Sequence, residues 1–530
     1  MSSQAAGGWS ATASRTADGA AAGTGRSREF WRRSPVKVGA LTVAAAFIYC
    51  LVSLNLLRRF LASTFDLVIF DQGIRGYAHL AAPVSVARGV SDGQGAHLEL
   101  LADHWSPVLA LLAPLYWIHD SPATLLVAQG VLFALAIPPL WAYTRRQIGP
   151  GAAYFVCVAY ALSLPVMEAV IFDFHEVAFV PVLTAVMVER FDAGKRWHGI
   201  LAAVALLLVK EDMGLLVAGF GGYLLLTRRR QWAQRDWTGL AFVVGGVAAT
   251  WAATHLLIPA FGGSASFYWA YGQFGSTLGS ALLNVLTHPL HALHVFVTPS
   301  VKARTMIGLL AMFGFLPLAS PMVVAVLPLL AERMLASGYP LWWHAKFQYD
   351  AFLVMMLCCA AVDGAARLQR HWPARWIPRR PATLWAAAIC AAALVYLPSS
   401  PFGSLLKPGF YNTNARMRAA AAAVAHVPAG VEVEASNNIG PALSGRDTVL
   451  LLDGTPRWAP WVVGDTLRLD FPFCTPSQQA QEVAYLRAHG YALVYADHGY
   501  VVLHRPADAR TAQALAHPPP AARLHTDICY

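Results

Sequence analysis

The chain has little charge: Asp, Glu, Lys and Arg make up only 13% of its 530 residues, against 57% hydrophobic residues and a mean hydropathy of +0.47. A soluble chain carries about a quarter charged residues, so an ordinary soluble globule is excluded. Cysteine is scarce, seven in all, and no CxxC spacing joins any two of them. That removes a zinc ribbon or a dithiol redox centre. Cys50, Cys157, Cys358, Cys359 and Cys390 lie in apolar runs as packing residues, while Cys474 and Cys529 lie in the C-terminal segment, where two cysteines alone are weak evidence for a disulfide. GxGxxG, P-loop, GxSxG and HExxH patterns are also missing. Their absence argues against nucleotide-driven pumping, serine hydrolysis and zinc proteolysis of the usual kinds.

Apolar runs approaching the roughly 20 residues that span a bilayer are what the chain has in abundance. They are continuous rather than alternating, which selects helices over a barrel. The net charge of +10 resides in short basic segments between these runs, as membrane orientation requires, and does not point to nucleic acid. The expected fold class is therefore an α-helical polytopic membrane protein of about eleven spans, with a small α/β domain at its C-terminus.

Residues 1–37 read as a disordered basic cytoplasmic segment and residues 38–398 as the membrane domain. A long outer loop is expected at 58–121, because Pro107–Trp117 is apolar but too short to cross. With that run on the surface, every Arg-rich turn (Arg145 and Arg146, Arg228 to Arg230, Arg375 to Arg380) falls on the cytoplasmic side. Residues 399–507 then form an extracytoplasmic domain with strands at 431–435, 448–452, 491–495 and 500–504 and a helix at 478–488, and residues 508–530 form a loose tail.

Four polar clusters fall at the ends of apolar runs on the same expected side. FDLVIFDQG (Phe65–Gly73) supplies Asp66, Asp71 and Gln72, with Arg75 just beyond and His104 further along the loop. A carboxylate among apolar neighbours suits a general base or a divalent-cation ligand, although a helix-capping Asp in a solvated loop has the same appearance. FDFHE supplies Asp173 and His175, a pair fit for a relay or a metal, or simply the polar side of an interfacial aromatic. Lys210, Glu211 and Asp212 interrupt an otherwise apolar stretch. Charge at membrane depth marks a functional site by default, with a tight turn and a snorkelling lysine as the plain alternative. WWHAKFQYD contributes His344, Lys346 and Tyr349 beside two belt-type tryptophans.

FDLVIFDQG, DHWSPVLALLAPLYWI, TRRQIG, FDFHEVAFVPVL, LLLVKEDMGLLV and ASNNIGPALSGRD together resemble the membrane family called domain of unknown function 2079, over about residues 40–505. That family's layout is similar to the GT-C glycosyltransferases, multi-span enzymes with a carboxylate in the first outer loop and polyprenyl-phosphate-linked sugars as donors. The resemblance implies transfer of a sugar at the outer face of the cytoplasmic membrane. Asp66 or Asp71 would act as base and Asp173 and His175 beside it as catalytic partners. Gln72, Arg75, His104, Lys210, Glu211, Asp212, His344, Lys346 and Tyr349 would face substrate or phosphate. Mg or Mn would sit on Asp71, Asp173 and His175. GT-C loops often carry adjacent acids, whereas Gln72 follows Asp71 here. A transporter or flippase and a non-catalytic assembly protein are the rival readings. The first needs polar groups at mid-membrane and the second needs no convergence of the clusters.

Overall fold

The computed structural model describes residues 13–227, 236–266, 269–371 and 380–519, with side chains from residue 35. Residues 1–12, the arginines at 228–230 and 235, Arg375, Arg379 and Cys529 lie outside the described residues.

Among those described, six helices are long and apolar enough to cross a membrane: Pro35–Arg58, Pro122–Ile148, Pro150–Ile171, Thr238–Ala260, Ala351–His371 and Pro381–Ser399. Leu278–Thr287 and Pro289–Val297, bent by 103° at their junction, would make a seventh if taken together. These candidates do not reach the expected count of about eleven. Several apolar runs are broken by Pro, Gly or charge into pieces shorter than a span needs. Arg196–Leu206 and Met213–Thr227, on either side of Lys210–Asp212, have 11 and 15 residues. The run after Pro317 becomes short 3₁₀ turns and the nine-residue helix Leu327–Leu335. Pro107–Tyr116 is short, as its length in the sequence requires. The first helix begins at Ala13, inside the stretch read as disordered. Its Ala-rich composition favours helix.

Proline opens the helices at Pro122, Pro150 and Pro381, where the missing N–H costs nothing. Gly149, at φ +96°, lets the chain reverse between two long helices. Ala351–His371 is the most enclosed helix, 83% of its apolar window being buried. Buried side chains tie neighbouring helices by hydrogen bonds to backbone carbonyls. Tyr49 donates to Ala161 and Ser53 to Val170, each at 2.8 Å, and Gln129 to Ala169 at 3.1 Å.

The C-terminal residues form a five-stranded sheet of β1 (Glu432–Ala435), β2 (Thr448–Leu451), β3 (Trp461–Asp465), β4 (Ala492–Asp497) and β5 (Tyr500–His504), ordered β2-β1-β3-β5-β4. β1 runs parallel to β2 and β3; β5 is antiparallel to β3 and β4. The helix Pro476–Ala488 starts at a Thr475–Gln478 capping box. The central strand β3 was not expected: it is five residues long and contains Gly464. Nor is this domain separate. Val433, Ala435, Ile439, Leu443, Val449 and Val463 belong to the same buried core as the long helices. The tail from 508 is not loose throughout, since Ala509–Ala516 is helical and Leu515 O accepts from Ala96 N at 3.1 Å.

Candidate functional site

The loop after the first long helix turns back at Ala62 and enters a π-helical turn, Thr64–Val68, that carries Asp66. Ser63 opens it. Its hydroxyl accepts from Asp66 N at 3.3 Å and donates to Asp66 Oδ2 at 3.2 Å. The Ser63 N–H donates in turn to both carboxylate oxygens of Asp173, at 3.0 and 3.1 Å. Asp173 adopts φ +46°, a left-handed conformation that Asp tolerates better than most residues. That turn sends its side chain to Ser63 and leaves His175 facing Asp66. His175 Nε2 lies 3.3 Å from Asp66 Oδ1. The imidazole stacks on Phe172 at 5.3 Å and meets the edge of Phe70 at 5.5 Å, and its Nδ1 is buried without a partner.

One cavity of roughly 1630 Å³ receives Asp66 and His175. Glu176 and Lys210 line it as an ion pair at 3.2 Å. His104 and Glu211 line it as a second pair at 2.8 Å, with Trp105 N donating to the other Glu211 oxygen at 3.1 Å. Asp212 and Tyr349 complete the part of the wall foreseen from the sequence. Burial pushes the Asp212 carboxyl up to about 7, reinforced by Glu211 and Glu176 against the pull of Lys210. Burial also acts to raise Glu211, but His104 and Lys210 hold it down at about 2. Asp173, buried and beside Asp66, rises to about 7.

The same wall carries the apolar side chains of Val243, Val247, Trp251, Leu278, Leu282 and Val285. These residues come from Thr238–Ala260 and from the bent helix pair, whose outer leucines Leu283, Leu286, Leu290 and Leu293 are exposed.

Several expected residues lie elsewhere. Asp71, read as a base and a metal ligand, is fully buried and outside the cavity wall. Its oxygens accept from Tyr116 Oη at 2.7 Å and from the Ser444 hydroxyl, and it pairs with Arg75 Nη2 at 2.9 Å. Arg75 is shared with Asp120 at 2.7 Å and lies outside the cavity wall. Gln72 binds Val449 O at 2.9 Å and accepts from Ala87 N at 3.0 Å, tying the loop to the C-terminal domain. Asp173 is a positioning residue behind the wall. His344 and Lys346 are also outside it. The His344 carbonyl instead accepts from Arg333 Nη2 at 2.8 Å. Asp71, Asp173 and His175 therefore do not meet around an ion. Among the described residues no group of three or more His, Cys, Asp or Glu is disposed to hold one.

Other lining residues were missed. Arg88 bridges Asp92 at 3.0 Å and Asp103 at 3.1 Å and lies over the Phe65 ring. Glu332 and Arg333 line the wall from the helix Leu327–Leu335, and Arg333 pairs with Asp350. Two charged residues side by side in LLAERML were the available signal. Asn437 and Phe471 come from the C-terminal domain. Nothing in one sequence could reveal that a domain some 370 residues away closes this wall.

The family model described as a predicted membrane protein (DUF2079) matches residues 56–501. No curated protein matches the sequence. Among solved structures, the fold is similar to ArnT from Cupriavidus metallidurans bound to undecaprenyl phosphate, with a TM-score of 0.48 and 13% identity over 91% of this chain and 99% of that one. The apo state of the same protein gives 0.45 and 12% over 92% and 100%. The Archaeoglobus fulgidus oligosaccharyltransferase tethered to an acceptor peptide gives 0.41 and 11% over 88% and 74%.

Proposed function

We propose that this chain, which belongs to the DUF2079 family of predicted membrane proteins, moves a sugar from a polyprenyl-phosphate carrier to an acceptor hydroxyl at the outer face of the cytoplasmic membrane. The observation that carries the reading is the two-part cavity. Its wall joins a carboxylate–imidazole pair and buried ion pairs with apolar side chains from Thr238–Ala260 and from the bent helix pair. A lipid-linked sugar has the same two parts.

In this reading the isoprenoid lies against Val247, Trp251 and Leu282, and the sugar phosphate reaches the polar groups. The Asp66 carboxylate takes the proton of the acceptor hydroxyl as the acceptor oxygen attacks the anomeric carbon. The bond from that carbon to the phosphate oxygen breaks, and the electron pair leaves with polyprenyl phosphate. His175 Nε2, 3.3 Å from Asp66, holds the carboxylate in place and can pass the proton on. Lys210 and Arg88 offset the charge that gathers on the phosphate.

The wall carries seven carboxylates against three permanent cations. The Asp212 carboxyl, at about 7, is partly protonated at neutral pH, which lowers that excess. A divalent cation, implied by the GT-C resemblance, does not fit Asp71, Asp173 and His175, whose side chains diverge.

The test is the purified full chain in proteoliposomes with undecaprenyl-phosphoryl-glucose, reading release of undecaprenyl phosphate in the presence of a membrane extract as acceptor source. Release above that of protein-free vesicles is expected. Binding of the carrier without any release would leave a binding or transport protein instead.

A further inference from the structure

The C-terminal domain does more than cover the cavity. Asn437 follows the end of β1 and is 8% exposed. Its main-chain carbonyl accepts from Thr64 N at 2.6 Å and from the Thr64 hydroxyl at 2.8 Å. Its side-chain Oδ1 accepts from Phe65 N at 2.9 Å. One residue thus takes three donors from the first two residues of the turn that carries Asp66.

The Phe65 bond also fixes the amide. A backbone N–H needs an acceptor, so Oδ1 must face Phe65 and Nδ2 must point the other way. Asn437 lines the cavity, and among the described residues its Nδ2 has no hydrogen-bond partner. Beside it the rings of Phe65 and Phe471, both in the wall, stand 5.1 Å apart. Nδ2 is not among the sealed polar atoms of this region, so it is open to the cavity, where it can donate to water or to a bound ligand.

We infer that Asn437 has two roles: it positions the Asp66 turn, and it donates a hydrogen bond from Nδ2 to an oxygen of the carrier's headgroup. That oxygen is a sugar hydroxyl or a phosphate oxygen, and the Phe65–Phe471 pair flanks it. This rests on the transferase reading above for the identity of the ligand, but the positioning role does not.

Two variants separate the roles. Asn437→Asp keeps the acceptor toward Phe65 and replaces the donor with a second acceptor. Asn437→Ala removes both. The full chain in nanodiscs is titrated with undecaprenyl phosphate and with undecaprenyl-phosphoryl-glucose, reading the fluorescence of the cavity tryptophans Trp251, Trp269 and Trp342. Hydrogen exchange is followed at residues 61–70. Asn437→Asp should weaken binding at least tenfold while exchange at Phe65 stays as in the wild type. Asn437→Ala should weaken binding and also speed exchange at Phe65. Weakening with both probes assigns the phosphate oxygen, and weakening only with the sugar-bearing probe assigns a hydroxyl. Asn437→Asp binding both probes as tightly as the wild type overturns the donor role. Unchanged exchange at Phe65 in Asn437→Ala overturns the side chain's part in positioning, since the carbonyl bonds to Thr64 remain in that variant. Failure of the wild type to bind either probe removes the carrier reading and the ligand role with it, and leaves the exchange result standing on its own.

Discussion

Asp66 and Asp71 are close in sequence and opposite in consequence, and a pair of Asp→Asn substitutions separates them. Asp66 has a quarter of its side chain exposed, 24%, and contacts His175 at 3.3 Å and Ser63 Oγ at 3.2 Å. An amide there keeps the shape and the Ser63 hydrogen bond. Its loss of stability should stay below about 1 kcal/mol, because a partly exposed pair contributes little. Removal of a general base lowers turnover by roughly 10²–10⁴-fold. Asp71 is fully buried, accepts from Tyr116 and Ser444, and pairs with Arg75. In Asp71→Asn the new N–H₂ group would face one of those donors, and Arg75 Nη2 would lose its carboxylate. Breaking a buried pair costs about 3–5 kcal/mol. Arg75 keeps Asp120, so the lower end applies, near 3 kcal/mol. The assay is carrier release in proteoliposomes, alongside thermal unfolding of the same preparations in detergent. Asp66→Asn should be folded and inactive, and Asp71→Asn should be unstable yet active in proportion to what stays folded. A stable, inactive Asp71→Asn beside an active Asp66→Asn would refute this assignment of the cavity.

Three further outcomes follow from the same contacts. Asp173, buried with its carboxyl raised from the ordinary range to about 7, favours folding below pH ~4 and loses that contribution as pH rises through about 7. The wild type should therefore melt at a lower temperature at pH 8 than at pH 5.5, with the gap narrowed by several degrees in Asp173→Asn; an equal gap in both would count against it. Lys210→Met leaves Glu176, 2% exposed, with neither oxygen paired, since Oε2 already lacks a partner. It should cost about 3–5 kcal/mol in denaturant unfolding, and Lys210→Arg much less. Gly440→Ala would drive a methyl group into the Thr64 hydroxyl and Val449. Unfolding should show a loss of about 1–3 kcal/mol, and hydrogen exchange at residues 61–70 should rise.

The parts of this fold that were legible in the sequence are those a bilayer dictates directly. Long apolar runs, their basic flanks and the charges of Lys210–Asp212 stand out because lipid offers polar groups no partner. What failed was local continuity. The run from Gly199 to Leu226 reads as two spans, yet three charged residues in its middle leave helices of 11 and 15 residues on either side of a turn that lines the cavity. The same break marks the cavity, because Lys210, Glu211 and Asp212 all line it. The choice between Asp66 and Asp71 could not be made locally. Asp66 lies in a π-helical turn and Asp71 in the α-helix that follows, so the two side chains take different directions, and hydropathy treats both alike. The selection is made by Asn437 on Thr64 and Phe65 and by Ser444 on Asp71, contacts that reach across the chain from the C-terminal domain. Ser444 satisfies Asp71 and keeps it in the core, while Asn437 leaves Asp66 turned toward His175. The domain that looked like an appendage by composition thus decides which carboxylate faces the chamber. A site assembled this way is visible only when both halves are in place.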